Sequence, residues 1–348
     1  MVTLKDVAEA AGVSISTASR ALRGKAVAPK TRARVEKVAQ QLGFSPNVLA
    51  QGLATQKTRT LGLLVPDITN PVFSDIAFGL ESYLRDEDYT LILCNTDDRS
   101  DRERAYLRML LSRRVDGIVM ASSAADSSDT CSRTELLCNA SCPVVLVNCE
   151  PITGLHAMLV NAERAAYLAT EHLAKQGRKH IVSLQGSDAF WFSRIRLNGY
   201  TKALSDYGLA GSETTLVGCF RREAAAKAFG ELIDSRESID GIICDNDLMA
   251  IGVLQEAKRR GIGIPDDVAV VGSGNTSLCE LVEPALSSVG YDNVILGKEV
   301  GRLIIDIAES DRPPFVISYE PTLTARASST ASGDSEPSET DQLQGGDL

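Results

Sequence analysis

The chain has 348 residues, 44% of them hydrophobic and 24% charged, a composition that excludes wholesale disorder and predicts two or three globular domains. No apolar run is long enough to span a bilayer, and Met1 leads straight into Val-Thr-Leu-Lys-Asp, so neither a transmembrane helix nor a secretory leader is expected. Eight cysteines then read as reduced thiols of a cytoplasmic protein, and the net charge of −10 divides unevenly: residues 1–60 hold ten Lys/Arg against three Asp/Glu, leaving −17 on the rest.

The basic head predicts three short helices. Leu4, Val7, Ala8 and Ala11 recur at helical spacing, with Thr3 and Asp6 as a capping pair. Gly12 breaks that helix and Val13 plugs the turn. Ser14 caps a second helix to about Arg23, with Ala18, Ala21 and Leu22 inward. A third follows Pro29, buries Val35, Val38, Ala39 and Leu42, and stops at Gly43. A helix, a glycine-containing turn and a second short helix make a helix-turn-helix, whose second helix can enter a major groove. Ser16, Thr17 and Arg20 lie one turn apart on it, and an arginine there can pair bidentately with a guanine edge. The competing reading is a small bundle whose Lys and Arg only solvate its faces.

Residues 46–60 read as a linker in which Asn47 can cap a short helix through Ala54, weakened by Gly52. A helix of two turns is marginal alone. From 61 to 326 buried strands alternate with helices: Leu61–Val65, Leu91–Asn95, Gly117–Met120, Val144–Asn148, Ile181–Gln185, Gly241–Cys244 and Val268–Val271, with helices such as Phe73–Arg85 and Ala224–Asp234 between them. That alternation predicts α/β architecture with parallel sheets covered on both faces. Val115-Asp-Gly-Ile-Val-Met120 is echoed by Ile239-Asp-Gly-Ile-Ile-Cys244, which predicts two similar lobes. The acidic, Ser-rich end, 327–348, is expected to be disordered because it has almost no apolar surface to bury.

Ligands of open α/β sheets sit beyond the carboxyl ends of the strands. Asp67 and Asn70, Asn148, Asp188, Asp245-Asn246-Asp247 and Asn275 follow those ends here. Phe73, Phe190, Trp191 and Phe220 lie close by in sequence. Amides and carboxylates facing an aromatic wall suit a small polar molecule such as a polyol. For any one Asn or Asp taken singly, a helix cap or Asx-turn is the competing role. On the segment Ser193–Tyr200, Arg194 and Arg196 point to different faces, so at most one reaches a cleft; a structural ion pair is the alternative for Arg196.

Enzyme motifs fail. The chain has no G-x-x-x-x-G-K-[ST], H-E-x-x-H or G-x-S-x-G, and Gly272-Ser-Gly274 lacks the third glycine of a dinucleotide loop. Cys131, Cys138, Cys142 and Cys149 do not make C-x₂-C pairs, so packing rather than metal binding is expected of them. No catalytic residue, metal or cofactor is assigned. Asp247 is the one carboxylate that can serve as a base in principle.

Val2-Thr-Leu-Lys-Asp-Val-Ala-Glu-Ala-Ala-Gly-Val-Ser-Ile-Ser-Thr-Ala-Ser-Arg-Ala-Leu22 closely resembles the head of the lac-repressor family (LacI/GalR) of bacterial transcriptional regulators. Leu42-Gly-Phe-Ser-Pro-Asn47, Pro66-Asp-Ile-Thr-Asn-Pro-Val-Phe73, Asn246-Asp-Leu-Met-Ala-Ile-Gly252 and Ile264-Pro-Asp-Asp-Val-Ala-Val-Val-Gly272 extend the resemblance over 2–326. It implies a helix-turn-helix domain (1–45), a hinge helix (46–60), and a two-lobed core for effector binding and dimerisation (61–326) like that of periplasmic sugar-binding proteins. Such a protein is a regulator, commonly a repressor. It binds a near-palindromic operator as a homodimer and answers to a small effector, with no membrane partner.

The resemblance places Ile15, Ser16 and Arg20 at base-reading positions, and Thr3, Ser14 and Thr17 belong to the same DNA-binding set. Asn47, Ala50, Leu53 and Ala54 match the hinge, where Leu53 resembles the wedge inserted in the minor groove. Gly52 departs from better helix formers there, and no leucine-repeat tail points to a tetramer. Phe73, Asn148, Arg196, Phe220 and Asp247 match or adjoin effector positions; Asn70, Trp191 and Asn275 complete that set. Where the family commonly has an aromatic residue and then Asp after its Val-Val-Gly strand, this chain has Ser273-Gly274-Asn275. Less negative charge is therefore expected near Arg196, which makes a sugar acid a candidate ligand beside a neutral sugar.

Overall fold

The structure, a computed structural model, describes residues 2–22, 26–44, 57–121, 130–187, 190–218, 220–310 and 312–330. The hinge positions Asn47, Ala50, Gly52, Leu53 and Ala54 lie outside that set, as do Asp188 and residues 331–348. The chain divides into two compact units, 1–59 and 60–348.

The first unit is a three-helix head: Leu4–Ala10, Ile15–Leu22 and Pro29–Gln41. Thr3 and Asp6 form a reciprocal capping box, the Thr3 hydroxyl accepting from Asp6 N and the Asp6 carboxylate accepting from Thr3 N at 2.7 Å. Gly12 and Gly43 take left-handed φ values of 62° and 64°, which glycine adopts without steric cost. Val7, Ala8, Ala11, Ala18, Ala21, Val35 and Ala39 form a core of mostly small side chains, so the helices pack closely. Leu42 departs from its expected inward place and is 38% exposed, because the helix has already ended at Gln41 and Leu42 is its C-cap.

The second unit holds two six-stranded sheets. One contains β1 (Thr60–Val65), β2 (Thr90–Asn95), β3 (Gly117–Met120), β4 (Val144–Val147), β5 (His156–Val160) and β11 (Val316–Tyr319), in the order β11-β5-β4-β3-β1-β2, every pair parallel. The other contains β6 (Ile181–Gln185), β7 (Thr214–Val217), β8 (Gly241–Cys244), β9 (Ala269–Ser273), β10 (Ser287–Gly290) and β12 (Thr322–Thr324), in the order β12-β10-β9-β8-β6-β7. Only β10–β12 is antiparallel. The orders match strand for strand, and the echoed segments form β3 and β8, which occupy the same place in their sheets.

Each sheet is buried on both faces. In lobe one Leu61, Leu63 and Val65 pack with the helices Pro71–Asp86 and Asn293–Glu309, while Leu64, Ile118 and Met120 pack with Ser100–Ser112. In lobe two Ile242 and Val270 face the helices Arg222–Asp234 and Asp247–Arg260, while Ile243 and Val271 face Ala162–Lys175 and Trp191–Asp206. Strands buried on both sides favour apolar side chains, and the apolar runs of β1, β3, β4, β6 and β8 made them legible in the sequence. The helices Pro71–Asp86 and Asn293–Glu309 meet backbone to backbone: a β-carbon on Gly79 would strike Val294 O, and one on Gly297 would strike Ile76 O.

The chain crosses between lobes three times: after β5, between β10 and the helix Asn293–Glu309, and between β11 and β12. The expected disorder from residue 327 is corrected at its start. Ser328 and Ser329 are buried. The Ser328 hydroxyl donates to Val270 O at 2.6 Å and accepts from Ser287 N at 2.8 Å, so the chain remains tied to lobe two through residue 330. Polar pairing, which a count of apolar residues does not register, holds this segment.

Candidate functional site

In the head, the second helix presents Ile15, half exposed, together with exposed Ser16 and Arg20. Ser14 caps the helix, its hydroxyl accepting from Thr17 N at 3.1 Å and lying 2.8 Å from the hydroxyls of both Ser16 and Thr17. Thr17 is half-buried, so it serves the cap more than the open surface. Arg20 Nε reaches Ser16 O at 3.4 Å, which lays the guanidinium along the exposed face. Thr3 is exposed beside its cap.

In the core, an open cleft of about 1150 Å³, solvent at its mouth included, lies at the carboxyl ends of both sheets. The structure brings Asn70, Phe73, Asn148, Trp191, Arg196 and Phe220 together on its wall. Asn70 caps the helix that follows, its Oδ1 accepting from Val72 N at 3.2 Å. Asn148 takes φ +51°, and its Oδ1 accepts from Val160 N at 2.7 Å, joining the ends of β4 and β5. Phe192 and Phe220 have centroids 5.4 Å apart, and Phe190 stands 5.1 Å from Phe220, giving lobe two an aromatic wall.

Two expected residues are not on the cleft lining. Asp247 is buried: its Oδ2 accepts from Thr276 N at 2.8 Å and from the Thr276 hydroxyl at 2.9 Å, and its Oδ1 accepts from the Ser288 hydroxyl at 2.6 Å. It ties together the ends of β8, β9 and β10, and a carboxylate so committed is not a base. Asn275 is turned into the Thr324–Arg326 segment, donating to Thr324 Oγ1 at 3.2 Å and accepting from Arg326 Nη1 at 3.0 Å.

Of the acids on the cleft lining, Asp245 is the one beside Arg196. Its Oδ2 accepts from the Ser193 hydroxyl at 2.9 Å and from Gly186 N at 3.0 Å, and its Oδ1 lies 4.0 Å from Arg196 Nη1. Burial pushes this carboxyl above 3.8, against the pull of Arg196 and both hydrogen bonds. Arg196 also donates from Nη2 to the Ser273 hydroxyl at 3.2 Å and stacks over Phe192 at 5.3 Å. Its Nε is buried with no partner among the described residues. A carboxylate therefore does stand beside Arg196, supplied from the end of β8 rather than β9. Asp245 was within reach of the sequence, since it begins the Asp-Asn-Asp run; Phe192 was adjacent to the chosen Trp191. Asp98 and Arg221, also on the lining, carried no sequence signal.

Residues 3–47 match the family described as bacterial regulatory proteins, lacI family, and residues 58–317 match the periplasmic binding proteins and sugar binding domain of LacI family. The chain belongs to the LacI family. It is 33% identical to the HTH-type transcriptional repressor PurR of Vibrio atlanticus over 94% of this chain and 98% of that protein. It is 32% identical to PurR of Photobacterium profundum, with the same coverage. Among solved structures, the lac repressor dimer bound to operator and the anti-inducer ONPF has the same fold: TM-score 0.83, 23% identity, 95% of this chain and 99% of that one. The regulator CelR in complex with cellobiose matches with a TM-score of 0.69 at 25% identity, covering 94% and 100%. As a LacI-family member the chain is a helix-turn-helix DNA-binding regulator with an effector-binding core, and the family consists of regulators rather than enzymes. Among the described residues no helix is long and apolar enough to cross a membrane.

Proposed function

We propose that this protein is a cytoplasmic, sequence-specific transcriptional repressor. It binds a near-palindromic operator as a homodimer and is controlled by a small polar effector, a sugar or sugar acid, in the inter-lobe cleft. The observation that carries the reading is the second head helix, which offers Ile15, Ser16 and Arg20 to solvent on one face. Arg20 is the guanine reader. Thr3, Ser14 and Thr17 shape and flank that surface, and Asn47, Ala50, Leu53 and Ala54 supply the hinge, with Leu53 as the minor-groove wedge. PurR supports the repressor assignment, and the operator-bound lac repressor dimer supports the two-fold geometry.

In the cleft, Arg196 and Asp245 offer a donor and an acceptor side by side, which a polyol hydroxyl can satisfy at once. Aromatic faces take the apolar side of a sugar ring. CelR with cellobiose and the Enterococcus faecium regulator with bound ribose support a carbohydrate, and Asp245 favours a neutral sugar over an acid. An effector that prefers one lobe arrangement shifts DNA affinity by no more than its differential affinity for the two states. Selection of bound sequences from random duplex DNA, repeated with sugars and sugar acids, tests the proposal. A two-fold-symmetric site is the expected product, and failure to enrich any sequence at low salt refutes it.

A further inference from the structure

Arg221 stands at the cleft mouth in the turn between β7 and the helix Arg222–Asp234. Its N–H bonds to Gly218 O at 3.0 Å, and Phe220 before it takes φ +55°. The side chain leaves lobe two and ends in lobe one. Nη2 donates to Asp97 Oδ1 at 3.0 Å, and Nη1 lies 3.5 Å from Asp67 Oδ2. Those carboxylates follow β2 and β1, neighbouring strands of the lobe-one sheet. Other ion pairs of the core, such as Arg133–Glu103 and Arg260–Asp234, stay within one lobe.

Both partners are held ready from within lobe one. Asp67 Oδ1 accepts from Thr69 N at 3.0 Å and from the Thr69 hydroxyl at 2.6 Å, which fixes its χ angle and leaves Oδ2 facing Arg221. Asp97 has φ +56° and is steadied by Arg102 at 3.3 Å. Asp98, on the cleft wall, is desolvated; Asp67 and Asp97 add to its burden and Arg221 relieves it. One guanidinium from lobe two thus offsets an acidic rim on lobe one, and it does so only when the lobes are close.

We propose that Arg221 is a positioning residue that latches the cleft, its bridge to Asp67 and Asp97 setting the open–closed balance on which the effector acts. This rests on the effector-cleft reading above. The pair is half exposed, so salt weakens it: the Debye length falls from about 30 Å at 0.01 M to about 3 Å at 1 M. Loss of the bridge is expected to lower the closed-to-open ratio by about 1.5- to 5-fold, the range for such a pair.

Trp191 is the single tryptophan of the chain and lines the cleft, so its quenching by acrylamide, an uncharged probe, reads closure in the full-length protein. In the wild type, quenching is expected to rise between 0.01 M and 1 M NaCl. Arg221→Gln is expected to be quenched at low salt as strongly as the wild type at high salt, and to lose the salt response. Arg221→Lys, which keeps a cation facing Asp67 and Asp97, is expected to retain the salt response. If Arg221→Gln does not fold, Asp67→Asn with Asp97→Asn makes the same measurement from the other side. A folded variant that matches the wild type at every salt concentration overturns the latch. That result with an effector still found refutes the latch alone; a salt-responsive cleft that no sugar or sugar acid stabilises refutes the effector reading alone.

Discussion

Phe220 and Gly186 share one volume: any β-carbon at position 186 would fall inside the Phe220 ring. The Gly186 N–H simultaneously bonds to Asp245. The end of β6 therefore sets both the aromatic wall and the cleft carboxylate. Gly186→Ala is expected to lower stability by about 1–3 kcal/mol, the usual cost of overpacking, and to shift Trp191 emission. Adding Phe220→Leu is expected to recover part of that loss in urea denaturation.

Arg196 is the cation next to buried Asp245. Arg196→Met leaves that carboxylate with only a hydroxyl and one N–H, and is expected to destabilise the protein by about 1–3 kcal/mol. Asp245→Asn in the same chain should return most of it, since replacing both members of a buried pair costs far less than removing one. Equilibrium unfolding of the two single variants and the double variant checks this, and a sugar thermal-shift panel should show the stabilisation abolished in Arg196→Met.

His172 ties the ordered tail to lobe two through Ser329, with Nε2 and Oγ 2.7 Å apart. Burial, then Lys175, pushes the imidazole below 6.5. The native state thus favours the neutral ring. Its contribution to stability is complete above about 6.5 and is lost as pH falls from there through the lowered native value. His156, lowered by burial, acts the same way. Asp245 and Asp98, both raised by burial, run opposite: their contribution is present below 3.8 and is lost as pH rises through the native values. Melting temperatures at pH 7 and pH 5 should therefore differ less in His172→Gln than in the wild type.

Arg20→Ala is expected to cost about 1–3 kcal/mol on the selected duplex and far less on a scrambled one. A substitution at a phosphate-contacting lysine would instead weaken both alike and flatten the salt dependence. Fluorescence anisotropy against the two duplexes at several salt concentrations separates these outcomes.

Local pattern carried the sequence reading far. Helix caps such as Thr3–Asp6 and Ser14 are decided within four residues. Strands buried on both faces favour apolar side chains, and the apolar runs of β1, β3, β4, β6 and β8 announced themselves. The edge strand β7 alternates in exposure, β11 alternates too and β12 has three residues, and β10 is Ser-Ser-Val-Gly; none carries a long apolar run, and the sheet rather than the segment makes them strands. The repeated Asp-Gly-Ile segments likewise marked two lobes.

Which strand-end acid meets the cleft was a tertiary matter. Asp245 and Asp247 are two residues apart, but β8 stops at Cys244 and a helix starts at Asp247, so strand alternation no longer governs where each side chain points. One reached Arg196; the other was consumed by Thr276 and Ser288. Arg221 and its two carboxylates are separated by more than a hundred residues and lie in different lobes, and only closure of the chain on itself could make them neighbours. Short-range chemistry chose the elements, whereas the packing of distant elements chose which polar groups were left facing the cleft.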